Sequence, residues 1–324
     1  MPRAIALSSG GLDSILAIKL ILNQGIEVEA VNFSSVFWDY NLKSLEKLSI
    51  KFRVFEVSQE FLEIVKNPKY GYGKNLNPCI DCRIFMLKKA GQYMKEIGAD
   101  FLITGEVLGE RPMSQKKDTL KIIERNSGLK GLILRPLSAR LLEPTIPEIE
   151  GIIDREKLKD FCGRSRKPQM KLARELGIST YPTPSGGCLL TDIEFTKRMK
   201  DLIRYEPSFT LKDIQLLKLG RHFRLSPQAR LVVGRNKEEN EQLLKLAREG
   251  DIYFRARYVK GPIGLGRSSF DREAVLLASE IVARYSDNHL KSHVEIIVTF
   301  PGDTREEIIS VSGVDEERIR SLRI

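Results

Sequence analysis

Ala4-Ile5-Ala6-Leu7-Ser8-Ser9-Gly10-Gly11-Leu12-Asp13-Ser14, followed by the apolar run Ile15 to Leu22, decides the fold of the first half of the chain. Ala4 to Leu7 read as a buried strand, the serines and glycines as a tight turn, and the run after them as a helix. Gly10 and Gly11 allow close backbone approach, Ser8, Ser9 and Ser14 add hydroxyl donors, and the helix start points free N–H groups at an anion. This is the layout of a phosphate cradle. Asp13 is its acidic member, and a carboxylate beside phosphates repels them unless a divalent cation lies between, so its natural role is to hold Mg2+. A plain serine-glycine connection is the competing reading of the two glycines alone. The stretch matches neither G-x-G-x-x-G nor G-x-x-x-x-G-K-[ST], which argues against the dinucleotide and Walker patterns.

Outward from this unit, strands are expected at Val28 to Phe33, Phe52 to Val57, Asp100 to Gly105 and Leu132 to Leu137. Helices are expected at Ile15 to Leu22, Leu42 to Ile50 and Arg83 to Ile97, the last closed by Gly98. Alternating strands and helices call for a five-stranded parallel sheet with helices on both faces, binding its ligand at the carboxyl ends of the strands near the switch in strand order. The loop sits at such an end. So do Asn32, Phe33, Thr104, Gly105 and Glu106, the candidates to surround adenine and ribose, with Phe33 equally readable as core.

Asp154 and Ser165 are read as N-caps of basic helices at Arg155 to Phe161 and Arg166 to Leu176. Tyr181 to Cys188, rich in Pro and Gly, reads as a loop, and the domains are placed at 1–190 and 191–324. The second part reads as a smaller α+β domain, with helices at Asp192 to Arg204, Leu211 to Leu219 and Lys237 to Arg248, and strands at Ala229 to Val233 and Ile252 to Tyr258. Tyr253, Arg255 and Arg257 share one face of the last strand, where rings and guanidinium groups can stack on bases and pair with phosphates. An ordinary charged sheet face is the alternative.

The chain has 324 residues, 42% of them hydrophobic, and a formal charge of +10, which favours a polyanionic partner over a small neutral substrate. Arg155, Lys157, Lys159, Arg164, Arg166, Lys167, Lys171 and Arg174 crowd one stretch, and a second basic stretch runs from Arg221 to Arg267. Arg111, Lys116 and Arg135 are candidates to neutralise phosphate or RNA charge, a solvated basic surface being the alternative. No apolar run is long enough to span a bilayer and no signal peptide is evident, so the expectation is a cytoplasmic protein with no membrane partner.

Four cysteines are too few for a disulfide scaffold. Cys79 and Cys82 form Asn77-Pro78-Cys79-Ile80-Asp81-Cys82-Arg83 just before a helix, whose N-terminus should lower thiol pKa, and Cys188 ends Ser185-Gly186-Gly187-Cys188. Cys162 is read as a buried packing residue. Three cysteines do not close a tetrahedral zinc site, but they would leave one iron of a 4Fe-4S cluster open to a small ligand such as sulfide. Alternatives are persulfide and thiol-exchange chemistry without a cluster, or a surface thiol pair to which Cys188 is unrelated.

Ser9 to Ser14 resembles the PP-loop, S-G-G-x-D-S, of the N-type ATP pyrophosphatases. The resemblance implies an adenine-nucleotide-hydrolase-like fold, ATP cleaved between its α and β phosphates, and AMP passed to an acceptor oxygen. With Cys79, Cys82 and Cys188 added, the chain from residue 4 to 190 resembles the tRNA thiolating enzymes of that superfamily, the 2-thiouridine and 4-thiouridine synthetases. That likeness implies ATP and Mg2+ on Ser9, Gly10, Gly11, Asp13 and Ser14, and sulfur handling or cluster binding by the three cysteines. Asp13, Cys79 and Cys188 are then the catalytic set, with tRNA or another structured RNA and a sulfur donor, sulfide or a carrier protein, as partners. Leu231 to Gly266 is similar to the RNA-binding domain of the NFACT family. Some expected features are missing: no RNA-binding domain or zinc ribbon ahead of the loop, no rhodanese after it, and Thr104-Gly105-Glu106 in place of T-G-H. Two further readings stay open, a PP-loop ligase or amidotransferase acting on a small carboxylate or deazapurine with cysteine-bound zinc, and a non-catalytic RNA-binding adaptor.

Overall fold

A computed structural model describes residues 1–38, 46, 48–181, 187–287, 293–300 and 306–324. The chain divides into two compact units, Met1–Asp192 and Ile193–Ile324. In the first, β1 (Arg3–Leu7), β2 (Glu27–Ser34), β3 (Phe52–Glu56), β4 (Phe101–Thr104) and β5 (Ile133–Leu134) form a sheet of order β3-β2-β1-β4-β5 with every pairing parallel. Around it lie α1 (Leu12–Leu22), α2 (Ser58–Lys66), α3 (Cys79–Glu96), α4 (Lys117–Ser127) and α5 (Lys167–Glu175). Residues alternate across a strand, so β1 sends Ala4 and Ala6 into one core with Ile18 and Ile103, and Ile5 and Leu7 into the other with Leu87 and Leu102. A strand buried on both faces must be apolar throughout, which is why Ala4 to Leu7 contains no polar residue. Strand order reverses between β1 and β4, and the Ser8–Ser14 segment leaves β1 at that point.

Several expectations need correction. The helix expected at Arg155 to Phe161 is only a single 3-10 turn, Arg155–Lys157, with the Asp154 carboxylate accepting from the Glu156 N–H. Lys159 and Phe161 instead donate to the Pro136 and Leu137 carbonyls, at 2.9 and 2.8 Å, and run extended beside the chain leaving β5. β5 itself is short, because Pro136 has no N–H to offer a ladder. α3 begins at Cys79, placing both of its cysteines in the first turn. Most of the helix expected at Leu42 to Ile50 and the Pro182–Gly186 loop lie outside the described residues.

The second unit is a sheet of order β11-β10-β8-β9-β7-β6, antiparallel throughout, made of β6 (Arg221–Ser226), β7 (Ala229–Val233), β8 (Ile252–Ala256), β9 (Ile263–Ser268), β10 (Val294–Thr299) and β11 (Glu306–Val311). Its helices are α6 (Ile193–Tyr205), α7 (Leu211–Leu217), α8 (Lys237–Leu246), α9 (Arg272–Arg284) and α10 (Glu316–Leu322). Ala278, Ile281 and Val282 of α9 pack on Phe223, Phe254 and Ile296 of the sheet. The basic stretch from Arg221 to Arg267 is not one exposed patch. Arg230 and Arg267 are fully buried, and Arg267 is held by Asp251 at 3.0 and 2.6 Å and by Asp213 at 2.8 Å. Arg255 and Arg257, exposed on β8 and just beyond it, pair with Glu306 and Glu295, as an ordinary charged sheet face does.

Candidate functional site

The loop is braced from inside. Gly10 has φ +74, and its N–H donates to Ser8 Oγ at 3.1 Å. Ser8 Oγ donates to Ser14 Oγ at 3.0 Å, and Ser14 Oγ to the Gly11 carbonyl at 2.8 Å. Asn32, buried in β2, donates from Nδ2 to the Ser8 carbonyl at 2.8 Å. Ser8, Ser14 and Asn32 therefore hold the loop's shape, while Ser9 is exposed and no side chain caps the N-terminus of α1. An uncapped helix start behind a glycine turn suits a phosphate group.

Gly105 explains how the end of β4 meets this loop. A Cβ there would lie 2.5 Å from the Asp13 carbonyl carbon and 2.5 Å from the Ser14 nitrogen, so only glycine lets the two backbones touch. Thr104 is buried and donates to Glu106, and Phe33 stacks on Phe55 at 5.8 Å within the core. Of the strand-end candidates, Asn32 and Gly105 touch the loop, while Phe33 packs in the core and Thr104 pairs with Glu106.

Asp13 Oδ1 is buried with no hydrogen-bond partner. Burial pushes the Asp13 carboxyl up, with the Arg166 and Arg111 guanidiniums opposing. A buried, unpartnered carboxylate oxygen at the mouth of a phosphate loop fits a divalent cation.

The cysteines converge on the same edge of the sheet. α3 precedes β4 and starts at that edge, and Arg83, next to Cys82, places Nε 3.4 Å from Glu106, the residue after Gly105. Glu106 is buried and also takes Arg135 Nε at 3.0 Å; Arg135 is 3% exposed and pairs with Glu124 as well. This corrects the expectation that Arg135 faces phosphate or RNA, since its charge is spent inside the fold. Arg111 and Lys116 are exposed. Asn77 Nδ2 donates to Cys79 Sγ at 3.2 Å and reaches Met113 Sδ at 3.9 Å, tying the thiol to the loop after β4. Beside Cys188, the Leu189 N–H donates to the Phe37 carbonyl at 2.8 Å, and Asn75 Nδ2 reaches the Thr191 carbonyl at 2.8 Å.

Cys79, Cys82 and Cys188 are each partly buried. Burial pushes the Cys188 thiol up to about 12 and Cys82 higher still, with the Cys188 and Cys79 charges adding to the rise at Cys82 and Arg83 opposing. The expected lowering by the helix N-terminus is thus overridden at Cys82. Among the described residues no group of three His, Cys, Asp or Glu is arranged to hold a metal ion. Cys162 is exposed, contrary to the packing expectation, because its backbone bridges to Leu108 at a chain edge. The residues that sequence reasoning missed are Arg83 and Glu106 as a bridge, and Glu110 and Gln169 beside Asp13. Gln169 offered one signal, a polar residue on the otherwise apolar stripe of its helix.

Among the described residues no helix is long and apolar enough to cross a membrane. Residues 2–141 match the family model of the thiamine biosynthesis protein ThiI, and residues 220–323 that of the NFACT protein RNA binding domain. A protein named "Probable tRNA sulfurtransferase" from Thermococcus kodakarensis is 28% identical over 42% of this chain and 36% of its own length. The tRNA-specific 2-thiouridylase MnmA of Mesoplasma florum is 26% identical over 68% of this chain and 64% of its own. A solved 4-thiouridine synthetase in complex with RNA and ATP is 21% identical over 55% of this chain and 52% of that one, with a TM-score of 0.34. The chain thus spans between about a third and two thirds of the length of these curated relatives. Its first unit is similar to PP-loop tRNA-thiolating proteins and its second to an NFACT RNA-binding domain.

Proposed function

We propose that the chain is a cytoplasmic, ATP-dependent tRNA sulfurtransferase. The observation that supports this reading best is the Glu106–Arg83 bridge, which joins the cysteine helix to the strand end on which the phosphate loop rests. A reaction that activates an oxygen with ATP and replaces it with sulfur needs those two chemistries side by side.

ATP binds with its phosphates on Ser9, Gly10, Gly11 and the N-terminus of α1. A carbonyl oxygen of a uridine-like base attacks the α phosphate, pyrophosphate departs into the loop, and the base carries AMP as a leaving group. A sulfur nucleophile at the cysteine site then attacks the same carbon and AMP departs with the oxygen. Asp13 would hold Mg2+, which neutralises charge growing on pyrophosphate. Cys79, Cys82 and Cys188 would hold a 4Fe-4S cluster, which would supply an open iron position for sulfide. Burial at Cys82 and Cys188 disfavours bare thiolates there, so the two suit a cationic group that stabilises them. In the cluster-free form of the reading, one cysteine takes sulfane sulfur from a carrier protein as a persulfide that attacks the activated carbon; a second cysteine thiol then breaks the S–S bond, freeing the thiolated base and leaving a disulfide that a thiol reductant returns to the dithiol. The second unit grips the RNA, in line with its NFACT similarity.

The test is thiolation of tRNA by purified, anaerobically handled protein, read by mass spectrometry of the nucleosides. Asp13→Ala and Cys188→Ser should each lower the yield by about a hundredfold or more. Retained thiolation in Asp13→Ala would overturn the adenylation step. Colourless, iron-free protein that still thiolates would replace the cluster with the persulfide. Stoichiometric zinc together with turnover of a small carboxylate and none of RNA would favour the ligase.

A further inference from the structure

Gln169 is 1% exposed, and neither its amide oxygen nor its amide nitrogen has a hydrogen-bond partner. Buried amides are costly when left in this state, so an unpaired one needs a reason. Gln169 lies on the stripe of α5 that also presents Leu172 and Ala173, and those two pack against Leu12, Leu16 and Leu20 of α1. One turn nearer the helix start, Gln169 meets the first turn of α1, where its amide steadies the Asp13 charge without closing a hydrogen bond of good geometry.

A second carboxylate comes from the loop after β4. There the Gly109 N–H donates to the Gln115 carbonyl at 2.8 Å and the Glu110 N–H to the Val107 carbonyl at 3.1 Å, closing a compact turn. The Gly163 N–H donates to the Leu108 carbonyl at 2.7 Å, which stitches this turn to the segment leading into α5. Glu110 is half-buried, and burial pushes its carboxyl up; the Asp13 charge adds to the rise, and Arg111 and Arg166 oppose it. Two carboxylates and an amide, with two guanidiniums beside them, match a cation and its phosphate counter-charge together. A Mg2+ ion is commonly held by one or two carboxylates plus substrate phosphates, not by a full protein cage. That agrees with the lack, among the described residues, of a three-ligand His, Cys, Asp or Glu group here.

We propose that Glu110 and Gln169 complete, with Asp13, a site for a divalent cation that arrives with the nucleotide, Arg111 and Arg166 taking the phosphate oxygens. The proposal rests on the ATP reading above. It assigns Glu110 and Gln169 a role in metal affinity, separate from nucleotide binding itself.

The probe is Mn2+, measured by the loss of its free EPR signal on titration into the full chain, with and without α,β-methylene-ATP. Binding of the analogue alone is measured in EDTA, and a thermal melt of each variant checks folding. Wild-type protein should hold Mn2+ tightly only with the analogue. Glu110→Gln and Gln169→Leu should each weaken that Mn2+ binding by about tenfold or more, with metal-free analogue binding changed less than about twofold. Gln169→Glu, which supplies a third carboxylate, should bind Mn2+ without nucleotide. Unchanged Mn2+ affinity in folded Glu110→Gln and Gln169→Leu would overturn the proposal while leaving the ATP reading intact. A higher melting temperature of Gln169→Leu with unchanged Mn2+ affinity would make Gln169 a packing residue. Wild-type protein that binds no analogue, with or without Mn2+, would overturn both readings.

Discussion

Gly105 controls the spacing between β4 and the phosphate loop. A methyl group there would drive into the Asp13 and Ser14 backbone, which cannot swing aside as a side-chain tip would. Gly105→Ala should cost about 1–3 kcal/mol in chemical denaturation of the first unit. It should also weaken ATP binding, because the strain falls on the first turn of α1. Cysteine chemistry separates by burial at the same scale. At pH 8, iodoacetamide with mass mapping should label exposed Cys162 well before Cys82 and Cys188, whose raised thiol pKa leaves little thiolate. Equal labelling of all three would contradict the burial described here. Gly10, Gly11 and Asp13 were legible as a loop because their meaning is local. Gly105 was legible as a strand-end candidate but not as a contact, since nothing in Thr104-Gly105-Glu106 reveals which backbone lies opposite.

At the level of elements, the second unit is bound by charge as much as by apolar packing. The capping box of α7 places Asp213 under Thr210, where it also takes Arg267, so one buried carboxylate fixes a helix start and a strand. Removing one partner of a buried pair leaves the other uncompensated, and Arg267→Ala should destabilise this unit by about 3–5 kcal/mol in urea titration. Arg255→Ala, at an exposed pair, should cost no more than about 1 kcal/mol. His222 on β6 supplies a pH test. Its Nε2 is 2.8 Å from the Leu219 carbonyl, and burial, Arg198 and Arg230 hold its pKa well below the ordinary 6.5, against the Leu219 and Leu216 carbonyls. Below about pH 6.5 the unfolded chain takes up a proton that the folded one excludes, so stability falls as pH drops, by up to about 1.4 kcal/mol per unit. Above that pH this dependence vanishes, and melts of His222→Gln against wild type from pH 7.5 to 5 should isolate it. β9 hides in the sequence because Gly264 and Gly266 are poor strand residues; a Cβ on Gly266 would lie 2.7 Å from the Phe270 ring.

Over the whole molecule, the net charge of +10 is the term that RNA binding should read. Log affinity for tRNA should fall linearly with log salt, and a flat response would rule out a phosphate-dominated grip. The sequence by itself determined the serine-glycine loop, the alternation of strands and helices behind it, and the presence of a second α+β unit. Each of those is written in neighbouring residues, through periodicity, turn chemistry and capping. Only the tertiary structure decided which charges are surface and which are interior. Arg135, Arg230 and Arg267 look like any other arginine in the chain, and burial beside Glu106, Glu206, Asp213 and Asp251 is what removes them from solvent. It also tied Asn75, just ahead of α3, to Thr191, and set Gln169 near Asp13. Such contacts join residues more than a hundred positions apart, and a pairing that distant leaves no period or spacing in the sequence.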